Sequence, residues 1–90
     1  MAHTIANKKK LIDRLKRLQG QLNGVQQSLE ADADCYKTLQ TLASARGALN
    51  SLMGEIVEAH IKEHVVGAKN SKEASIAGEE TVEILKSFWK

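Results

Sequence analysis

The sequence predicts an all-α protein with three helices. The chain of 90 residues contains no proline and only three aromatic side chains, a composition that favours helices over strands. Apolar residues recur at alternating spacings of four and three, which is the period of helices that pack along one another at a shallow angle. A chain of this length is expected to form one domain, residues 1–90, with a thin core that gains stability from association or from metal binding.

The first predicted helix spans about 4–29, with Thr4 as its N-cap. It contains Gly20 and Gly24, which lower helix propensity but leave room for another helix to come close. Its apolar row consists of Leu11, Leu15, Leu18, Leu22, Val25 and Leu29.

The second predicted helix spans about 34–66 and follows a short acidic link. The third spans about 72–88 and follows a polar stretch in which Ser71 is a candidate N-cap. Small residues crowd the middle of the second helix around Gly47 and Ala48, which suits tight packing. The row of this helix consists of Cys35, Leu39, Leu42, Arg46, Leu49, Met53, Ile56 and His60.

Charge is distributed unevenly along the chain. Residues 1–29 carry six basic side chains and one acidic side chain, whereas residues 30–90 carry seven basic and ten acidic ones. The imbalance predicts an anionic partner for the first helix. On charge alone, a solvated charged face is the alternative.

Several classes of protein are disfavoured. The single cysteine excludes an intrachain disulfide and fits a reducing cytoplasm. No apolar run is long enough to cross a membrane, and the N-terminus lacks the apolar block of a signal peptide. Cys35 has no histidine near it in sequence, so cysteine catalysis has little support and we expect no enzyme.

The spacing of cysteine and histidine residues indicates a set of candidate metal ligands. His60 and His64 stand four residues apart, which places two imidazoles on one helical face. Cys35 lies 25 residues before His60, about 37 Å along a continuous helix. One chain cannot bring both to one ion, but two antiparallel copies of the helix can. The alternatives are a buried cysteine that acts as a small apolar residue, and two surface histidines without a role.

The N-terminus adds to this set. Removal of Met1 would leave a free amine on Ala2, next to His3. A thiolate, imidazoles and an amine suit zinc, nickel, cobalt or copper rather than calcium or magnesium. Three ligands, Cys, His and His, would suggest tetrahedral zinc, whereas five or more favour nickel or cobalt.

The chain resembles the CsoR/RcnR family of copper-, nickel/cobalt- and formaldehyde-responsive repressors over nearly its full length. The stretches that carry the resemblance are KKKLIDRLKRLQGQLNGVQQSLE, DCYKTLQTLASARGALNSLMGEIVEAHIKEH and VEILKSFWK. The resemblance implies a cytoplasmic repressor that binds double-stranded operator DNA. It also implies a three-helix protomer, an antiparallel four-helix-bundle dimer and a dimer of dimers, hence a homotetramer.

The ligand positions resemble those of the nickel/cobalt branch, the RcnR-like proteins. The resemblance implies that the amine of Ala2, His3 and Cys35 bind the metal together with His60 and His64 of the partner chain. Copper-sensing members have a second cysteine where this chain has His64. Formaldehyde-sensing members pair a proline at position 2 with the same cysteine, and they usually have an acidic residue at position 64. This chain has Ala2 and His64 there, which disfavours formaldehyde. The alternative stays open because one carbon can bridge Cys35 and a free amine.

The resemblance also assigns DNA contacts to Arg14 and Arg17, whereas Lys10 and Lys16 are candidates on charge alone. No helix-turn-helix signature is present, so contacts to phosphates and to DNA shape are expected. Gln21 is a candidate polar contact, with a surface glutamine of no role as the alternative. A metal-storage protein would not need the basic residues. A helical module that only binds other proteins would not need Cys35 of one chain to lie opposite His60 of another.

Overall fold

The computed structural model of the protein describes residues 7–89. Three helices form this part of the chain: α1, Lys8–Glu30; α2, Cys35–Ile61; and α3, Ser71–Phe88. A π-helical turn, Lys62–Val66, follows α2 directly. No strand occurs among the described residues, so the predicted all-α class with three helices is confirmed. None of the described helices is long and apolar enough to cross a membrane.

The helix ends differ in part from those expected. Thr4, the expected N-cap of the first helix, lies outside the described residues, and the described helix begins after Asn7. The second helix was expected to be α-helical as far as Val66. It is α-helical only to Ile61, because its last turn takes the wider π form.

The acidic link between α1 and α2 ends one helix and begins the next. The backbone N–H of Ala33 donates to the carbonyl of Ser28 at 2.9 Å, and Asp32 adopts the left-handed conformation with φ of 50°. This pattern closes the C-terminus of many helices, usually with glycine at the left-handed position. Asp34 then caps α2, because its carboxylate accepts a hydrogen bond from the backbone N–H of Tyr36 at 3.0 Å. Local capping therefore accounts for the acidic side chain of Asp34.

The contacts of the chain define two compact units. The first is Asn7–Met53, which holds α1 and the first part of α2. The second begins at Gly54 and holds the end of α2, the π-helical turn and α3.

In the first unit, buried residues recur every seven positions, once in two helical turns. They are Leu18 and Val25 on α1, and Thr38, Ala45 and Leu52 on α2. This period matches the predicted packing of helices along one another. On α2, however, none of the three buried residues belongs to the predicted row, and two of them are small or β-branched.

Large apolar side chains lie beside this core rather than in it. The helical period places them on one flank of the buried residues. We call this surface the leucine face; its six members are between 41% and 66% exposed, and they are Leu15, Leu22, Leu29, Leu39, Leu42 and Leu49. The first unit therefore leaves an apolar surface without cover from its own two helices.

In the second unit, α3 packs against the π-helical turn. The expected N-cap, Ser71, was wrong: the cap is Asn70, whose side chain accepts a hydrogen bond from the backbone N–H of Glu73 at 2.9 Å. A cap at position 70 puts an acidic side chain in the third helical position, where it interacts favourably with the helix dipole. Ala77 and Thr81 are the buried residues of α3.

Candidate metal centre and nucleic-acid interface

Two histidines face each other where α2 passes into the π-helical turn. His60 lies in the last turn of α2 and His64 lies within Lys62–Val66. Their ring centroids are 4.6 Å apart and the ring planes are inclined by 45°. The four-residue spacing therefore brings the imidazoles together, as the sequence predicts.

This ring separation fits two imidazoles that bind one metal ion. An ion lies about 2.0–2.1 Å from the nitrogen that binds it, and so about 3.2 Å from the ring centroid. Two rings at neighbouring positions on one ion then have centroids roughly 4.5–5.2 Å apart. The observed 4.6 Å lies in that interval, so the separation of the two rings is compatible with shared binding.

Cys35 is the first residue of α2, and its thiol is exposed. His60 lies in the last turn of the same helix. The length of α2 therefore separates the two residues. Among residues 7–89, no three cysteine, histidine or acidic side chains converge to hold a metal ion. The two N-terminal candidates, Ala2 and His3, lie outside the described residues.

The shape of the π-helical turn depends on Gly67. Its backbone N–H donates to the carbonyl of Lys62 at 3.0 Å and closes the turn. A Cβ built on Gly67 would lie 2.8 Å from the carbonyl oxygen of Glu63 and 3.2 Å from that of Lys62. Both are backbone atoms, so no side-chain rotation can relieve the contact. Glycine is therefore needed in the turn that carries His64, and π-helical turns of this kind are frequent at functional sites.

The candidate DNA contacts lie on the flank of the first unit opposite the leucine face. Arg14 and Arg17 line an open groove of about 400 Å³ between α1 and α2, together with Gln21 of α1 and Ala48 of α2. Helical period places these α1 residues on one side of buried Leu18, and the leucine face on the other. The first unit thus has an apolar flank and a flank that bears guanidinium groups.

The two candidate lysines are less constrained. Lys10 and Lys16 are exposed on α1, as expected for side chains that act through charge. A neighbouring lysine, Lys9, forms an exposed ion pair with Asp13 at 3.3 Å. Exposed pairs of this kind contribute little to stability.

Two side-chain hydrogen bonds cross from α1 to the serines of α2. The Nη2 of Arg14 donates to the Oγ of Ser51 at 2.8 Å, and the Nε2 of Gln21 donates to the Oγ of Ser44 at 3.2 Å. The residue number rises by seven on α1 and falls by seven on α2, as it does between antiparallel helices in a fixed register.

Sequence reasoning missed both serines and the role of Gly67. The seven-residue spacing of Ser44 and Ser51 matches that of Gln21 and Arg14, and this shared spacing is the signal that could have found the serines. Gly67 lies in the polar stretch before the third predicted helix, and nothing in the sequence indicates that the helix before it widens.

Comparison with known proteins identifies the family. The family model described as metal-sensitive transcriptional repressor matches residues 7–88. The chain belongs to this family. The resemblance inferred from the sequence is therefore confirmed, and so is the expectation that the protein is not an enzyme.

Two curated relatives match over the full length of both chains. The transcriptional repressor RcnR of Citrobacter koseri is 34% identical over 90 residues. An uncharacterised protein encoded in the bioA 5′ region of Serratia marcescens is 36% identical over 93 residues.

Two solved structures are also similar, each with a TM-score of 0.86. One is a glutamate-to-histidine variant of the formaldehyde-responsive regulator FrmR from Salmonella enterica serovar Typhimurium. It is 33% identical, and the match covers 96% of this chain and 98% of that one. The other is the copper-sensing repressor CsoR with Cu(I) from Geobacillus thermodenitrificans, at 26% identity, with 97% and 91% covered. This metal-sensitive repressor therefore has relatives whose effectors differ.

Proposed function

We propose that this repressor binds operator DNA in its metal-free form and that nickel or cobalt releases it. The observation that carries the proposal is the pair of imidazoles at 4.6 Å in a member of a metal-sensitive family. The basic flank of the first unit supports the DNA-binding half of the proposal. We expect the repressor to act in the cytoplasm, where the DNA of its bacterial relatives lies.

The proposed metal site is shared between two subunits. His60 and His64 of one chain would bind the ion together with Cys35, His3 and the Ala2 amine of another. Cys35 and His60 belong to one α-helix of 27 residues, and the length of that helix separates them by about 37 Å. A second chain that runs in the opposite direction removes this separation and creates two equivalent sites.

The leucine face supports such a dimer. Six leucines, each more than 40% exposed, lie on one flank of α1 and α2. Exposed apolar patches often mark interaction surfaces. Burial of this face against a second copy would give the antiparallel four-helix bundle, and two such dimers would form the tetramer.

The donor set supports nickel or cobalt over copper. This chain has one cysteine, whereas Cu(I) prefers soft thiolate ligands. Two imidazoles, one thiolate, an amine and a further imidazole from His3 provide more donors than tetrahedral zinc uses. Because divalent copper binds most nitrogen and sulfur sites more tightly than nickel or cobalt, specificity in the cell would depend on geometry and on metal availability.

The proposed DNA surface consists of Arg14 and Arg17, with Lys10 and Lys16 as added charge. In a tetramer, four copies would present a broad positive surface to phosphates. Affinity should therefore fall steeply with salt, since each neutralised phosphate adds about 0.9 to the slope of log K against log salt.

We propose that metal binding acts on DNA binding through α1. An ion that ties the N-terminus of one chain to the end of α2 in its partner would shift the helix that carries Arg14 and Arg17. Coupling free energies of about 1–3 kcal/mol are typical of allostery, and they are reciprocal. Operator DNA should therefore weaken metal binding by the same factor.

A gel-shift titration tests the function. The probe is the promoter duplex upstream of the coding sequence, with nickel, cobalt, zinc, Cu(I) and formaldehyde added in separate series. Nickel or cobalt should weaken binding by about 5- to 150-fold, and the Cys35→Ala variant should bind DNA equally well but ignore the metal. Unchanged affinity in saturating nickel and cobalt would contradict the proposed effector, and loss of DNA binding in Cys35→Ala would make the cysteine structural.

One observation favours a second effector. The thiol of Cys35 is exposed, and a solved relative responds to formaldehyde. Formaldehyde would join the thiol to the Ala2 amine through one methylene carbon, with loss of one water molecule. Release by formaldehyde, with no release by nickel or cobalt, would establish this alternative.

A further inference from the structure

We propose that Ser51 is a positioning residue for DNA binding: it holds the guanidinium of Arg14 in the orientation that contacts phosphate. The proposal rests on the function proposed above, in which Arg14 lies on the DNA surface. It adds a residue on α2 to a DNA surface that otherwise belongs to α1.

The hydrogen bond that carries the proposal is short and joins two helices. The Nη2 of Arg14 lies 2.8 Å from the Oγ of Ser51, although 37 residues separate them in sequence. A guanidinium is a planar fork with five donors, so fixing one nitrogen orients the whole plane. Arg14 is half-buried, whereas Ser51 is exposed. The contact therefore lies at the protein surface, where phosphates can reach it.

The surroundings of the contact suit an anion. Arg14 and Arg17 line the same open groove, so two basic residues border it. Arginine forms two parallel hydrogen bonds to phosphate when its plane is correctly oriented. Ser51 is neutral, so its hydrogen bond adds no negative charge beside Arg14.

The contact between Gln21 and Ser44 provides a matched control. It crosses between the same two helices, two turns away, and it also ends on a serine hydroxyl at 3.2 Å. Its partner is a neutral amide rather than a guanidinium. If the serines acted only by holding α1 against α2, removal of either hydroxyl would have the same effect on DNA binding.

The test compares operator affinities of Ser51→Ala, Ser51→Thr and Ser44→Ala in the full chain. Ordering one long side chain on binding costs a factor of about two to ten in affinity, so Ser51→Ala should weaken binding by that factor. Ser51→Thr keeps a hydroxyl and should restore most of the loss. Ser44→Ala should change affinity by less than twofold. Circular dichroism and sedimentation confirm that each variant is folded and assembled.

Two further readouts separate positioning from packing. The salt slope of Ser51→Ala should equal that of the wild type, because the charge of Arg14 remains. In an Arg14→Gln background, Ser51→Ala should cause no further loss, since the two residues act through one contact.

The inference is overturned if Ser51→Ala binds DNA as tightly as the wild type or more tightly, or if Ser44→Ala loses as much. It is also overturned if the losses of Arg14→Gln and Ser51→Ala add. If Arg14→Gln weakens binding while Ser51→Ala does not, only the inference fails. If Arg14→Gln itself has no effect, the proposed DNA surface fails with it.

Discussion

Replacement of Gly67 by alanine should destabilise the end of α2 and weaken metal binding together. The new Cβ would lie 2.8 Å from the carbonyl oxygen of Glu63 and 3.2 Å from that of Lys62, so the backbone must move. Forcing a methyl group into occupied space costs about 1–3 kcal/mol. The carbonyl of Glu63 belongs to the peptide that leads into His64, so the movement also shifts one imidazole of the pair.

Gly78→Ala is the matched control. A Cβ on Gly78 meets nothing within 4 Å, and the residue lies inside α3. Alanine in a helix interior is favoured over glycine by about 0.5–1 kcal/mol, so this variant should be more stable than the wild type. The same chemical change thus has opposite signs at Gly67 and Gly78.

Thermal unfolding of the metal-free protein, at one protein concentration, measures both effects. For a chain of this size, 1 kcal/mol corresponds to roughly 4–8 °C in Tm. Gly67→Ala should therefore unfold at a lower temperature and bind nickel more weakly, and Gly78→Ala should do neither. A Gly67→Ala protein with wild-type Tm would refute the steric account of the π-helical turn. Wild-type nickel affinity in that variant would refute the dependence of His64 on Gly67.

Three further predictions follow from the fold. Asn70→Ala removes the side chain that accepts from Glu73 and should lower the free energy of unfolding by about 1 kcal/mol; an unchanged denaturant midpoint would contradict the cap. Asp32→Gly removes the steric cost of a side chain in the left-handed conformation and should raise the free energy of unfolding by up to about 1 kcal/mol. The same denaturation assay measures it, and a lower denaturant midpoint would contradict this steric cost. Leu42→Glu should reduce the assembly toward monomers in sedimentation, whereas the exposed control Gln40→Glu should not; equal sedimentation of the two would remove the leucine face as an interface.

The helical class follows from the sequence, but the packing within the chain does not. The period of the leucines on α2 predicts a packed row. A second row at the same period, Thr38, Ala45 and Leu52, lies beside it and is the one buried in the described chain. The pattern alone cannot say which row packs within the chain, because both have the period of a packed helix. Leu42 and Leu49 therefore stay exposed.

The candidate site was predictable only where it depends on spacing along one helix. The facing of His60 and His64 follows from their separation of four residues. The contact of Arg14 with Ser51 depends on the register between two helices, and a single sequence does not specify that register. The need for glycine at position 67 depends on a local change of helix type, which has no compositional signal.

Mixed assemblies test the central claim, that two chains complete one metal site. A Cys35→Ala chain and a His60→Ala chain each lack one ligand, and either protein alone should bind nickel weakly. Co-expressed with different C-terminal tags and purified through both, a pair of these chains should regain one tight nickel site, because the intact Cys35 of one chain meets the intact His60 of the other. If the mixed assembly binds nickel no more tightly than the two parent proteins do, the claim of a shared site is contradicted.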